Sequence, residues 1–148
     1  MPTPKQILGA RGEQLVATRC TCPRCKRART LKRLPTNFKC ADVICDFCGY
    51  LAEVKTIACK DVDECPRRVL GAAWSVQRER MEAGIYFPLF MVLCAPDGRS
   101  AIYYLPADLQ RPEMFVARKP LSQKARRAGW QGFTYELGDA TKRIIRLD

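Results

Sequence analysis

Hydrophobic and polar positions change period several times along the chain, and each change marks an element. Between residues 4 and 19, Ile7, Leu8, Leu15 and Val16 share one broad helical stripe, and Gly9 and Gly12, three apart, leave a small face. Glycine inside a helix costs roughly 1 kcal/mol relative to alanine, so this face implies a closely packed neighbour. From residue 41 the pattern alternates. Ala41-Asp-Val-Ile runs into Cys45-Asp-Phe-Cys48-Gly49-Tyr, and Leu51-Ala-Glu-Val-Lys-Thr-Ile-Ala runs out. That predicts a β-hairpin whose turn is a cysteine knuckle.

Residues 67–83 predict a second helix carrying Val69, Ala73, Val76 and Met81, with Gly84 at its C-terminal cap. An apolar strand over 85–94, the turn Pro96-Asp97-Gly98 and a partner strand over 101–105 follow. A short helix over 122–128 ending at Gly129, then two strands near 131–137 and 142–147, complete the pattern. With no repeats and no low-complexity linker, this reads as one α/β domain over 1–148 with an insert at about 20–50.

Charge and cysteine content narrow the chemistry. The chain has 148 residues, 26 Lys+Arg against 15 Asp+Glu, a net charge of +11, nine cysteines and no histidine. Without histidine there is no Ser-His-Asp or Cys-His triad, no HExxH metalloprotease and no histidine-base nuclease. The positive balance points to a polyanion. The apolar run from Ile85 to Ala95 is broken by Pro88 and too short to span a bilayer, and the start lacks a signal-like core. Nucleic acid is therefore the expected partner, with no membrane, and the cysteine usage fits a reducing, cytoplasmic setting.

Cys22-Pro-Arg-Cys25 and Cys45-Asp-Phe-Cys48 are nineteen residues apart. Each pair places two thiolates on a tight turn, and two such turns supply the four tetrahedral ligands of a structural Zn²⁺. Cys20 is an alternative to Cys22. Cys40, Cys59, Cys65 and Cys94 read as small buried apolar residues.

Asp42 enters the second knuckle and Glu53-Val54-Lys55 leaves it. Strand period two puts Glu53 and Lys55 on one face, and hairpin pairing would bring Asp42 close to Glu53. Two carboxylates with a lysine suit Mg²⁺ chemistry on a phosphodiester, with Asp42 and Glu53 as hard oxygen ligands and Lys55 orienting water. Glu13 on the first helix offers a third carboxylate, and Gln77 is a further candidate near the metal. Equally, Glu53 and Lys55 fit an ordinary solvated pair worth under about 1 kcal/mol.

The order helix-Glu13, Asp42, Glu53-Val54-Lys55 is similar to the PD-(D/E)xK nuclease core, with Ala41 in place of the motif's proline. The stretch Arg118-Lys-Pro-Leu-Ser-Gln-Lys-Ala-Arg-Arg-Ala-Gly-Trp-Gln-Gly132 resembles the DpnI-like, Dam-replacing family of restriction endonucleases. The resemblance implies a type II enzyme making Mg²⁺-dependent double-strand cuts at GATC carrying N6-methyladenine. It implies Asp42, Glu53 and Lys55 as the catalytic set and Cys22, Cys25, Cys45 and Cys48 on zinc. DpnI-like enzymes also carry a C-terminal winged-helix domain, whereas the expectation here is a single nuclease domain without it, acting as a monomer.

Arg118, Lys119, Lys124, Arg126 and Arg127 form a basic run ending in Ala-Gly-Trp. Such a run suits phosphate clamping and base-edge contact, with Trp130 either meeting DNA or anchoring a core. Two rival functions stand beside the methyl-directed endonuclease. One is a zinc-ribbon DNA-binding or regulatory module without catalysis; the other is a PD-(D/E)xK nuclease acting on branched or damaged DNA.

Overall fold

Thr3 starts the first helix. Its side chain accepts from Gln6 N at 3.2 Å, its own N–H donates to Gln6 Oε1 at 2.8 Å, and Pro4 occupies the first turn. In the computed structural model, which describes residues 1–148, this helix is α1 (Pro4–Arg19), as expected from the sequence. After it come β1 (Leu31–Arg33), β2 (Val43–Cys45), β3 (Leu51–Ala58), β4 (Arg68–Ala73) and α2 (Trp74–Glu82). Then follow β5 (Leu89–Cys94), β6 (Ser100–Leu105), β7 (Phe115–Ala117), β8 (Gly132–Glu136) and β9 (Ile145–Arg146). No helix is long and apolar enough to cross a membrane.

Two compact units share this chain. The first holds Met1–Cys65, Phe87–Ala107 and Ile144–Asp148; the second holds Pro66–Tyr86 and Asp108–Arg143. Unit 1 is a six-stranded mixed sheet in the order β1-β2-β3-β5-β6-β9. Only β3 and β5 pair in parallel, with Glu53 opposite Leu89 and Lys55 opposite Met91. All six residues of β5 are buried, as a central strand covered on both faces must be. Its Leu89, Phe90, Met91 and Val92 are fully sequestered, each contributing about 1.5–3 kcal/mol of burial.

Helix α1 lies on β3 through Gly12, where an added Cβ would overlap Thr56 Oγ1. The expected small face is thus half right. Gly9 meets nothing and Ile7 is exposed, while Val16 enters the core with Leu8 and Leu15 packed beside it.

Unit 2 is a three-stranded antiparallel sheet in the order β4-β8-β7. Its core is aromatic: Phe133 packs with Trp74, Phe115 and Tyr135 at ring separations of 6.2, 5.8 and 5.2 Å. Several expectations are corrected across the two units. Residues 67–83 are not one helix; Arg68–Ala73 pairs with β8, and α2 begins only at Trp74. Residues 122–128 form turns rather than a helix, because the segment is tied end to end by Leu121 N donating to Trp130 O and Gly129 N to Leu121 O. The last strand shrinks to Ile145–Arg146, preceded by a 3₁₀ segment over Gly138–Arg143. In unit 1 the strand expected from 85 starts at Leu89, just after Pro88, which carries no N–H. Cys94 is buried as expected, whereas Cys40, Cys59 and Cys65 are only partly so.

Candidate functional site: a cysteine knuckle beside a carboxylate hairpin

Two turns of the same construction build the cysteine site. In the first, Cys22 N donates to Arg27 O at 3.0 Å and Lys26 N to Cys22 O at 2.9 Å. In the second, Cys45 N donates to Tyr50 O at 2.8 Å and Gly49 N to Cys45 O at 2.9 Å. Lys26 and Gly49 are therefore equivalent positions, and both hold left-handed backbone, at φ 64° and 78°. Glycine adopts that conformation freely, whereas a lysine is strained by its Cβ.

The turns bring Cys22, Cys25, Cys45 and Cys48 together with all four sulfurs within 4.8 Å of one another. Cys22 Sγ lies 3.6 Å from Cys48 Sγ and Cys25 Sγ 3.7 Å from Cys45 Sγ. A tetrahedron with metal–sulfur bonds of about 2.3 Å has edges of about 3.8 Å, so the spacing fits a tetrathiolate ion. The site can hold a metal such as zinc. Burial pushes the Cys22 thiol up. Burial acts the same way on Cys45, but hydrogen bonds from Thr30 and from the backbone of Cys48 and Phe47 outweigh it and hold that thiol down. Cys20 does not join the cluster. It sits in the core at the end of α1, where burial raises its thiol to about 11.

The strand leaving the knuckle carries the second group. Val43 pairs with Ala52, and Asp42 N donates to Ala52 O at 3.0 Å. Asp42 Oδ2 accepts from Val54 N at 2.7 Å, which fixes its carboxylate across the hairpin beside Glu53 and Lys55. Glu53 and Lys55 are half-buried on the face opposite the buried Ala52 and Val54. Glu53 is held at the backbone by Pro88 O, 2.9 Å from its N–H.

Glu13 reaches this group from α1. Its carboxyl is raised by burial and then by the charge of Asp42, partly offset by Arg33, whose Nε is 3.3 Å from Glu13 Oε1. Arg33 was not singled out from the sequence; twenty residues from Glu13, it carries no local signal. The carboxylates do not close into a cluster as tight as the cysteines, whose ligand atoms alone meet within 4.8 Å. Gln77 is buried on α2 in unit 2, whereas the hairpin belongs to unit 1.

The basic run lies in unit 2, in the loop from β7 to β8. Arg118, Lys119, Lys124, Arg126 and Arg127 are all exposed. The loop is closed by Arg118 N donating to Gly132 O and Gln131 Nε2 to Arg118 O, at 2.9 and 2.8 Å. Trp130 is half-buried against Gly132, with the Arg127 guanidinium 4.6 Å above its ring. It is neither a sealed core residue nor a free one.

A comparison with the curated proteins returns no match. The family model of DpnI, the Dam-replacing family, matches residues 4–143, which takes in the knuckle, the carboxylate hairpin and the basic loop. The chain belongs to the DpnI, Dam-replacing family.

Proposed function

We propose that the chain is a type II restriction endonuclease with a PD-(D/E)xK core, cutting both strands of DNA at GATC sites that carry N6-methyladenine. Membership of the DpnI family suggests a methylation-dependent restriction endonuclease with DNA as its partner. The observation that carries the catalytic assignment is the bond from Val54 N to Asp42 Oδ2, which sets one carboxylate across the hairpin from Glu53 and Lys55.

Asp42 and Glu53 would hold Mg²⁺, which accepts one or two carboxylates with waters and a phosphate oxygen and neutralises charge building on the scissile phosphate. The Glu13 carboxyl, raised by burial and then by the charge of Asp42, suits a neighbouring dication. Lys55 shares the face of Glu53 and orients the attacking water while easing loss of its proton. The water oxygen bonds to phosphorus as the bond to the leaving oxygen breaks. Glu13, restrained by Arg33, supports Asp42 from the helix. Arg118, Lys119, Lys124, Arg126 and Arg127 contact phosphates, and Trp130 meets the base steps.

Digestion of one plasmid, prepared with and without GATC adenine methylation, tests the reading in Mg²⁺ at low salt, where phosphate contacts are strongest. Discrete fragments from the methylated plasmid alone are expected. Glu53→Ala should abolish cleavage by about 10³-fold or more while DNA binding persists, the loss expected when a transition-state group is removed. Cleavage surviving in Glu53→Ala would overturn the active-site assignment. Binding without cleavage by the wild type would favour the zinc-ribbon binding module.

A further inference from the structure

The first knuckle carries side chains that holding four sulfurs does not require. Residues 19–39 contain eight lysines and arginines and no acid. Three of them are ion-paired, Arg19 with Asp148 at 2.9 Å, Arg33 with Glu13 at 3.3 Å and Lys32 with Asp46 at 4.0 Å. Arg24, Lys26, Arg27 and Arg29 are exposed and have no carboxylate partner. A filled tetrathiolate zinc site carries a net charge of −2, which these four cations exceed. Counter-charge for the metal therefore does not account for all of them.

Backbone conformation gives a second, independent sign. Lys26 and Arg29 are the two non-glycine residues of the chain with positive φ, at 64° and 61°. Lys26 stands where the second knuckle uses Gly49, so a strained lysine is kept at a position that glycine fills without cost. A third sign is aromatic. Phe47, between the ligands Cys45 and Cys48, is 60% exposed, with the Arg27 guanidinium 3.8 Å over its ring. A cationic surface with a guanidinium-backed aromatic at its tip matches the chemistry of nucleic acid, where phosphates need point charges and base or sugar faces need a flat apolar partner.

We infer that the knuckle of unit 1 is a second contact surface for duplex DNA, with Arg24, Lys26 and Arg29 on backbone phosphates and Phe47, backed by Arg27, against the groove. This rests on the reading of the chain as a DNA-cutting enzyme and adds a surface separate from the basic loop of unit 2. Non-specific duplex suffices as the ligand, because phosphate contacts carry no sequence information.

Binding of a short unmethylated duplex to the full-length, metal-replete Glu53→Ala protein is measured across a salt series. The triple variant Arg24→Gln, Lys26→Gln, Arg29→Gln should flatten the slope of log K against log salt by about two to three and weaken binding about tenfold or more. Phe47→Ala should weaken binding with the slope unchanged. Lys26→Gly should raise the melting temperature, because the strain is relieved, yet bind more weakly. Unchanged affinity and slope in the triple variant, with metal content intact, would overturn the inference. If Arg126→Gln, Arg127→Gln loses binding while the knuckle variants do not, this inference alone fails. If the parent protein binds no duplex, it fails together with the endonuclease reading.

Discussion

Arg27 lies 3.8 Å over the Phe47 ring at the tip of the cysteine knuckle, and Arg127 lies 4.6 Å over the Trp130 ring in the loop between β7 and β8. Both aromatics sit in connections between antiparallel strands, and exposed cations flank both, those beside Phe47 coming from the turn between α1 and β1. Their foundations differ. The knuckle is pinned by four sulfurs, two of them on the buried Cys22 and Cys45, which belong to the core of unit 1. The loop is pinned by main-chain bonds such as Leu121 N to Trp130 O at 2.8 Å, above an aromatic core that contains no cysteine ligand. A similar surface thus rests on a cysteine cluster that can hold a metal in one unit and on main-chain hydrogen bonds in the other.

Removing the metal is the strongest way to break that comparison. Structural zinc in small fingers contributes about 10–16 kcal/mol, as much as the whole stability of an ordinary domain. Cys45→Ser, or a chelator, should therefore release the ion and unfold the β1-β2-β3 part of unit 1. The readouts are metal content and circular dichroism. Both tryptophans, Trp74 and Trp130, lie in unit 2, so their emission follows that unit alone. The expected outcome is metal loss with tryptophan emission near its native wavelength. A full red shift accompanying metal release would show that the two foundations are one.

The reciprocal experiment acts on Gly71. An added Cβ there would overlap the Phe133 ring, which sits at the centre of the aromatic cluster. Gly71→Val should cost about 1–3 kcal/mol, the usual range for overpacking, and red-shift tryptophan emission at a lower temperature. Metal content should stay at the parental level. Equal loss of metal would again erase the distinction between the units.

Legibility in the sequence followed the same divide. The knuckle could be read directly, because C-x-x-C spacing fixes both a turn and its chemistry, and the flanking alternation gave β2 and β3 their facing residues. Residues 67–83 were ambiguous for a definite reason. Val69 and Ala73 are four apart, a separation that keeps two side chains on one face of a helix and also on one face of a strand. Pairing with β8, and the room Gly71 leaves for Phe133, decided for the strand. The segment 122–128 holds helix-forming Lys, Ala and Arg, but seven residues are too few for propensity to prevail over a loop tied at both ends. The Arg33–Glu13 pair and the left-handed Lys26 left no trace, since neither a contact twenty residues away nor a φ angle is written in local pattern.

A smaller substitution sharpens what holds the knuckle without removing it. Thr30 Oγ1 lies 3.3 Å from Cys45 Sγ, the ligand whose thiol is held down by its hydrogen bonds. Valine keeps the shape of threonine and removes the hydroxyl, so Thr30→Val removes that bond together with the one Thr30 Oγ1 donates to Arg27 O at 3.3 Å. Outer-shell partners of metal ligands are typically worth 10–100-fold in affinity, and zinc affinity measured by chelator competition should fall by about that factor. Thr30→Ser should restore it, and tryptophan emission from unit 2 should not move in either variant. Unchanged zinc affinity in Thr30→Val would assign the Cys45 thiolate to backbone donors alone, among them Cys48 N at 3.4 Å. The knuckle would then share with the loop a foundation of main-chain hydrogen bonds, and the metal alone would set them apart.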